Sequence, residues 1–208
     1  MSVFFSYILL GLSLAIPIGP VNAAQLDKGM KNGFFHSWFV GLGAVTADGI
    51  YMLAVYLGMV HIVDTPFIKT FLWLFGAFVL IYTGIESMAS SSKLKANDKR
   101  QAEPLHKSFI TGFLMSISNP LTILFWLGIY GSVLAKTVAT NSTNQLILYS
   151  IAIFIGLLTW DLFMATASSG FRRVLKGNTL TFLSRLSGIS LIGFGIYFGY
   201  EGFKLLLG

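Results

Sequence analysis

The chain has 208 residues, of which 55% are hydrophobic and only 11% charged, and its mean hydropathy is +0.76. This is too apolar for an ordinary soluble domain, so most of the chain must face lipid or other spans. The net charge of +6 does not mark a nucleic-acid surface, because the basic residues lie between apolar runs, and the absence of cysteine excludes disulfides, thiolate metal sites and thiol redox chemistry.

A span needs about 20 mainly apolar residues, and the sequence predicts six, over roughly 3–26, 36–60, 67–89, 108–134, 145–169 and 185–207. The start, Met1-Ser2-Val3-Phe4-Phe5, lacks the basic region of a secretory signal, so the first span is expected to be retained. The connections after spans 1, 3 and 5 hold Lys28, Lys31, Lys93, Lys95, Lys99, Arg100, Lys107, Arg172, Arg173, Lys176 and Arg185. The opposite side holds only Lys69, Lys136 and Lys204. Eleven against three predicts that both termini lie on the non-cytoplasmic side.

Span 1 contains Pro17-Ile18-Gly19-Pro20-Val21-Asn22. Proline has no amide hydrogen and clashes with the preceding turn, so two prolines around a glycine should break the helix and free carbonyls upstream and amides downstream. At membrane depth such groups need protein, water or a ligand. Span 2 carries Gly43-Ala44-Val45-Thr46-Ala47-Asp48, with an aspartate where an ionised group is expensive unless paired, hydrated or protonated. His36 at the start of this span reads as a boundary anchor, and Glu86, near the end of span 3, as interfacial charge.

The polar segment 90–107 reads as a cytoplasmic linker between a first three-helix repeat, 1–89, and a second, 108–208. Because three is odd, the second set enters the membrane in the opposite direction. Span 4 contains Ser116-Ile117-Ser118-Asn119-Pro120-Leu121-Thr122, matching Gly19-Pro20 with Asn119-Pro120. Span 5 repeats the aspartate block as Gly156-Leu157-Leu158-Thr159-Trp160-Asp161, and Leu186-Ser187-Gly188 in span 6 matches Leu74-Phe75-Gly76 in span 3. Glu201 reads as interfacial charge, and Gly195 with Gly199 permits close helix contact, within the protein or with a second copy as a homo-oligomer. The expected fold is an all-α integral membrane protein of six transmembrane helices, arranged as two inverted three-helix repeats with helices 1 and 4 interrupted at proline.

Gly-Pro-x-Asn-Ala in the first span (Gly19, Pro20, Asn22, Ala23), Asp48 in the second, and Asn119-Pro120 opening the second half resemble the LysE/RhtB amino-acid exporter family. The resemblance extends over nearly the whole chain, including Leu186-Ser187-Gly188-Ile189-Ser190-Leu191-Ile192-Gly193-Phe194-Gly195. It implies efflux of amino acids or similar small metabolites across a bacterial inner membrane, driven by the proton gradient. Many members of the family place glycine directly before the span-2 aspartate; here Ala47 precedes it and Gly49 follows.

The residues expected to bind substrate or couple its movement are Asp48, Asp161, Asn22, Asn119, Gly19, Pro17, Pro20, Pro120, Thr46 and Thr159. Either aspartate could change protonation, receive a substrate ammonium, or pair with a loop lysine. For Asn119, zwitterion binding competes evenly with helix–helix hydrogen bonding, which is favoured for Ser116. Freed amides at the breaks, with the helix dipole, suit a substrate carboxylate.

An intramembrane aspartyl protease is disfavoured because Gly41-Leu42-Gly43 is followed by Ala44, not Asp. A divalent metal-ion exporter using both aspartates with Asn22 and Asn119 is the alternative, although two carboxylates are few for a selective site. No P-loop is present, so ATP is not the direct energy source in this chain. The reading is a non-enzymatic secondary carrier with no cofactor or resident metal, whose partners are a small zwitterion such as an amino acid, protons and membrane lipid, and no nucleic acid.

Overall fold

The computed structural model describes residues 3–17, 19–58, 65–93, 103–131, 143–174 and 178–207. Among these residues the chain is helical, with no strand: α1 (Val3–Ala15), α2 (Pro20–Asn32), α3 (Phe34–Tyr56), α4 (Pro66–Lys93), α5 (Leu105–Ile117), α6 (Pro120–Phe125), α7 (Thr143–Val174) and α8 (Asn178–Leu207). A π-helical turn, Trp126–Tyr130, continues α6. Helices satisfy their own backbone polar groups, as a lipid environment demands of any segment crossing it.

Helices α3, α4, α7 and α8 are each long and apolar enough to cross a membrane alone. The pairs α1/α2 and α5/α6 meet the same test only together, bent by 78° and 63° respectively, giving 4 spans, or up to 6 if each bent pair is one span. The protein is therefore a multi-pass membrane protein. Both bends fall at the prolines read from the sequence. Pro20 and Pro120 occupy the first turns of α2 and α6, where a missing amide hydrogen costs no helical bond.

The first bent pair runs further than 3–26. Helix α2 continues to Asn32, and Lys28 and Lys31, expected in a solvated connection, are buried. The reason is pairing: Lys28 Nζ lies 2.6 Å from Glu103 Oε1, and Lys31 Nζ lies 2.7 Å from Asp27 Oδ1. Gly33, at φ 97°, then turns the chain directly into α3. The segment read as a linker at 90–107 begins inside α4, which reaches Lys93, and ends inside α5; residues 94–102 lie outside the described residues.

Three helix contacts set the architecture. Helix α4 lies along α8, α1 along α7, and α3 along α5. Glycines permit the last two to close to backbone contact. A Cβ at Gly11 of α1 would lie 2.1 Å from the Ile153 carbonyl oxygen, and one at Gly156 of α7 would lie 2.2 Å from that of Ile8. Likewise, a Cβ at Gly43 of α3 would lie 2.1 Å from the Phe109 oxygen, and one at Gly112 of α5 would lie 1.9 Å from that of Val40. Gly195 of α8 faces Ile81 and Ala77 of α4, so that glycine serves contact within the protein. Helix α2 sits amid α3, α7 and α8, and its Ala23 and Ala24 join a core with Trp73, Leu80, Leu191 and Phe198.

Candidate functional site

Both helix breaks open onto one cavity of about 260 Å³. Pro17, Gly19, Pro20 and Asn22 line it from the first break, Asn119 from the second, and Asp48 and Asp161 from α3 and α7. Aromatic and aliphatic side chains, including Leu14, Phe125, Leu157 and Phe194, complete the wall. No lysine, arginine or histidine lines it among the described residues.

Three carbonyls at the two breaks are satisfied from within the protein. Asn22 Nδ2 donates to the Ala15 oxygen at 3.1 Å and the Pro17 oxygen at 2.9 Å, while Trp160 Nε1 donates to Asn22 Oδ1 at 3.1 Å. Asn22 thus pins the break to α7, and its amide is already occupied in binding the protein's own backbone. At the second break, Tyr51 of α3 donates its hydroxyl to the Ile117 carbonyl. Asn119 caps α6, its Oδ1 accepting from Leu121 N at 3.0 Å. Gly19 is extended (φ −123°), a conformation open to any residue, and a Cβ there would meet only the Pro17 oxygen at 4.0 Å. Its contribution is an uncovered backbone at the cavity wall.

Neither aspartate is hydrogen-bonded to a lysine among the described residues. Asp48 Oδ1 accepts from Trp126 Nε1 at 3.0 Å and Ser116 Oγ at 3.2 Å. Asp161, 6% exposed, accepts at Oδ1 from Gln25 Nε2 at 2.9 Å. All three donors are neutral, so the carboxylates face the cavity without a fixed positive partner. Ser116 does make a helix–helix bond, as expected, but its acceptor is the site carboxylate itself.

A family model for LysE type translocators matches residues 12–202 of this sequence. The chain belongs to the LysE type translocator family. It is thus a translocator and not an enzyme. It is 56% identical to "Putative amino acid efflux protein YcgF" of Bacillus subtilis (strain 168), with both chains covered in full. It is 27% identical to "Chemotactic transduction protein ChpE" of Pseudomonas aeruginosa, over 93% of this chain and 95% of that protein. A "Leucine efflux protein" of Salmonella typhimurium is 22% identical over 61% of each chain. No solved structure matches this translocator.

The remaining residues read from the sequence fall outside the cavity. Thr46 and Thr159 are exposed, and each hydroxyl donates one turn back along its own helix, to Leu42 O at 2.7 Å and Ile155 O at 2.6 Å. Pro120 is buried at the start of α6 but does not line the cavity. Sequence reasoning missed Gln25, Trp126 and Trp160. Gln25 lies five residues after Pro20 and Trp126 six after Pro120, but only the fold shows the carboxylate that each one serves.

The polar residues at the far end of α2 form a separate group. Lys31 Nζ donates to the Ser87 carbonyl at 2.6 Å besides pairing with Asp27, Lys107 pairs with Glu86, and His36 Nε2 lies 2.7 Å from the Glu103 carbonyl oxygen. His36 is therefore an anchor to the chain preceding α5, and Glu86 carries a cation of its own.

Proposed function

We propose that this translocator is a secondary-active exporter of amino acids or related small metabolites across the bacterial inner membrane. Substrate binds in the cavity between the two helix breaks. The observation that carries this reading is the composition of the cavity wall: two carboxylates, two interrupted helices and apolar side chains, without a basic residue among the described residues. A substrate ammonium finds Asp48 or Asp161, and a substrate carboxylate finds the unpaired first amides of α2. At about 260 Å³ the cavity lies just under the range of about 300–1,000 Å³ common for drug-sized ligands, which suits a small metabolite. The efflux relatives support the amino-acid assignment and the outward direction.

Alternating access follows from an inverted repeat, α1 to α4 against α5 to α8, each with a broken helix first. The packing supports it: α1 meets α7 as α5 meets α3, through Gly11 with Gly156 and Gly112 with Gly43. The site carboxylates serve in turn as proton carriers, exchanging a proton from outside for substrate from inside. Both termini lie on the non-cytoplasmic side, and the segment near 90–107 lies in the cytoplasm.

The test is counterflow in proteoliposomes, with each of the twenty protein amino acids inside and a proton gradient imposed. At least one amino acid should move saturably and faster with the gradient, and it should raise the melting temperature of the purified protein. Gly19→Leu, which covers the exposed backbone, should abolish that stabilisation. Stabilisation by manganese or cadmium that needs both aspartates, with no response to any amino acid, would replace the carrier with a metal exporter.

A further inference from the structure

The two site carboxylates are held in corresponding ways by side chains from the two broken spans. Gln25, in α2 just beyond the first break, donates to Asp161 on α7. Trp126, just beyond α6 and the second break, donates to Asp48 on α3. Each donor comes from one half of the chain and each acceptor from the other. Their positions correspond to within one residue when Pro20 is matched with Pro120.

Gln25 is 0% exposed, and among the described residues its Oε1 accepts no hydrogen bond. A buried amide oxygen left in that state is destabilising, so an apolar side chain of the same length would pack more favourably. The Asp161 contact is what the glutamine supplies, since a neutral donor to a carboxylate makes a strong, directional bond. A third residue clears space for it. A Cβ on Gly41 of α3 would lie 2.6 Å from both Asp161 Cγ and Gln25 Nε2.

Resting on the assignment of this cavity as the substrate site, we propose that Gln25 and Trp126 are positioning residues: each broken span sets the orientation of the carboxylate on the opposite half. Movement at a break is passed through this bond to the group that meets substrate. Gly41 keeps the Gln25–Asp161 bond open to formation from the side of α3. Gln25 does not line the cavity, so it affects affinity through Asp161 alone, whereas Trp126 lines the cavity beside the Asp48 it holds.

The experiment measures counterflow in proteoliposomes for whichever of the twenty amino acids the wild type carries fastest. It compares Gln25→Met, Gly41→Ala, their double variant, Trp126→Phe and Asp161→Asn, with melting temperature recorded for each. Gln25→Met and Gly41→Ala are each expected to raise KM about tenfold with Vmax within twofold of wild type. The double variant should be no worse than either single change, because both break one bond. Trp126→Phe should raise KM similarly through Asp48, and it keeps the test available if either α2–α7 variant fails to insert. Wild-type KM in Gln25→Met and Trp126→Phe, alongside impaired Asp161→Asn, would overturn the positioning role alone, as would a lowered melting temperature with unchanged KM. Absence of any carried amino acid, or wild-type flux in Asp161→Asn, would instead remove the site assignment and this proposal with it.

Discussion

The indole nitrogen of Trp160 donates to Asn22 Oδ1 at 3.1 Å, so α7, the helix that carries Asp161, also holds the side chain that closes the first helix break. Asn22 meanwhile donates to the Ala15 and Pro17 carbonyls, where the helix is interrupted. Asn22→Asp keeps an acceptor for Trp160 but removes both donors. Both bonds are part-buried and each contributes about 0.5–1.5 kcal/mol, so this variant should unfold at lower temperature in detergent. Trp160→Phe, which leaves both backbone bonds in place, should be milder. Equal melting temperatures for Asn22→Asp and wild type would show that the break needs no side-chain support.

Asp48→Asn and Asp161→Asn retain an oxygen for the present donors, Trp126 and Ser116 in one case and Gln25 in the other. Both variants should therefore insert and fold while losing the charge that faces the cavity. Asp48→Asn is expected to reduce counterflow at least a hundredfold or to uncouple it from the proton gradient, and Asp161→Asn to impair turnover, to a smaller extent. Proton-dependent flux at the wild-type rate in both would reduce the aspartates to structural polar contacts.

The four contact glycines give a prediction about the repeat. Gly11, Gly156, Gly43 and Gly112 leave no room for a methyl group, each projected Cβ lying 1.9–2.2 Å from a backbone oxygen of the facing helix. Substitution by alanine must push the helices apart, and overpacking of this kind costs about 1–3 kcal/mol. Under an inverted repeat, Gly11→Ala and Gly112→Ala should lower the melting temperature by similar amounts, and so should Gly43→Ala and Gly156→Ala. A large loss on one interface and none on the other would argue against equivalent halves.

The repeated block shows what the sequence made legible and what it hid. Its glycine is a helix-contact residue, its aspartate a cavity residue, and its threonine an outward-facing residue bonded to its own helix. The repetition was plain in one dimension, but three functions shared it, and proline and charge alone could be read for their physical cost. The breaks were legible because proline removes a backbone donor wherever it stands. Gln25 and Trp126 were not, because a single glutamine or tryptophan near a span has many uses until its partner, more than seventy residues away for Trp126 and further for Gln25, is placed beside it. The charges of Lys28 and Lys31 misled for a related reason: each looks solvated in sequence, and each has its carboxylate partner in the fold.

Cysteine labelling can resolve the bent pairs, since the natural chain contains no cysteine. Val3 and Leu207 are exposed at the outer ends of α1 and α8, and Thr65 and Ala89 are exposed near the two ends of α4. If each bent pair crosses the membrane once, cysteines at Val3, Thr65 and Leu207 react with an impermeant maleimide in intact cells, whereas one at Ala89 reacts only after permeabilisation. The direction rests on the basic residues gathered on the Ala89 side. If α1 and α2 instead dip in and return, Val3 joins Ala89 on the inner side. If α5 and α6 do so, Leu207 joins it. Either result would end the three-plus-three division and the alternating-access scheme built on it, because an inverted repeat requires an odd number of crossings in each half.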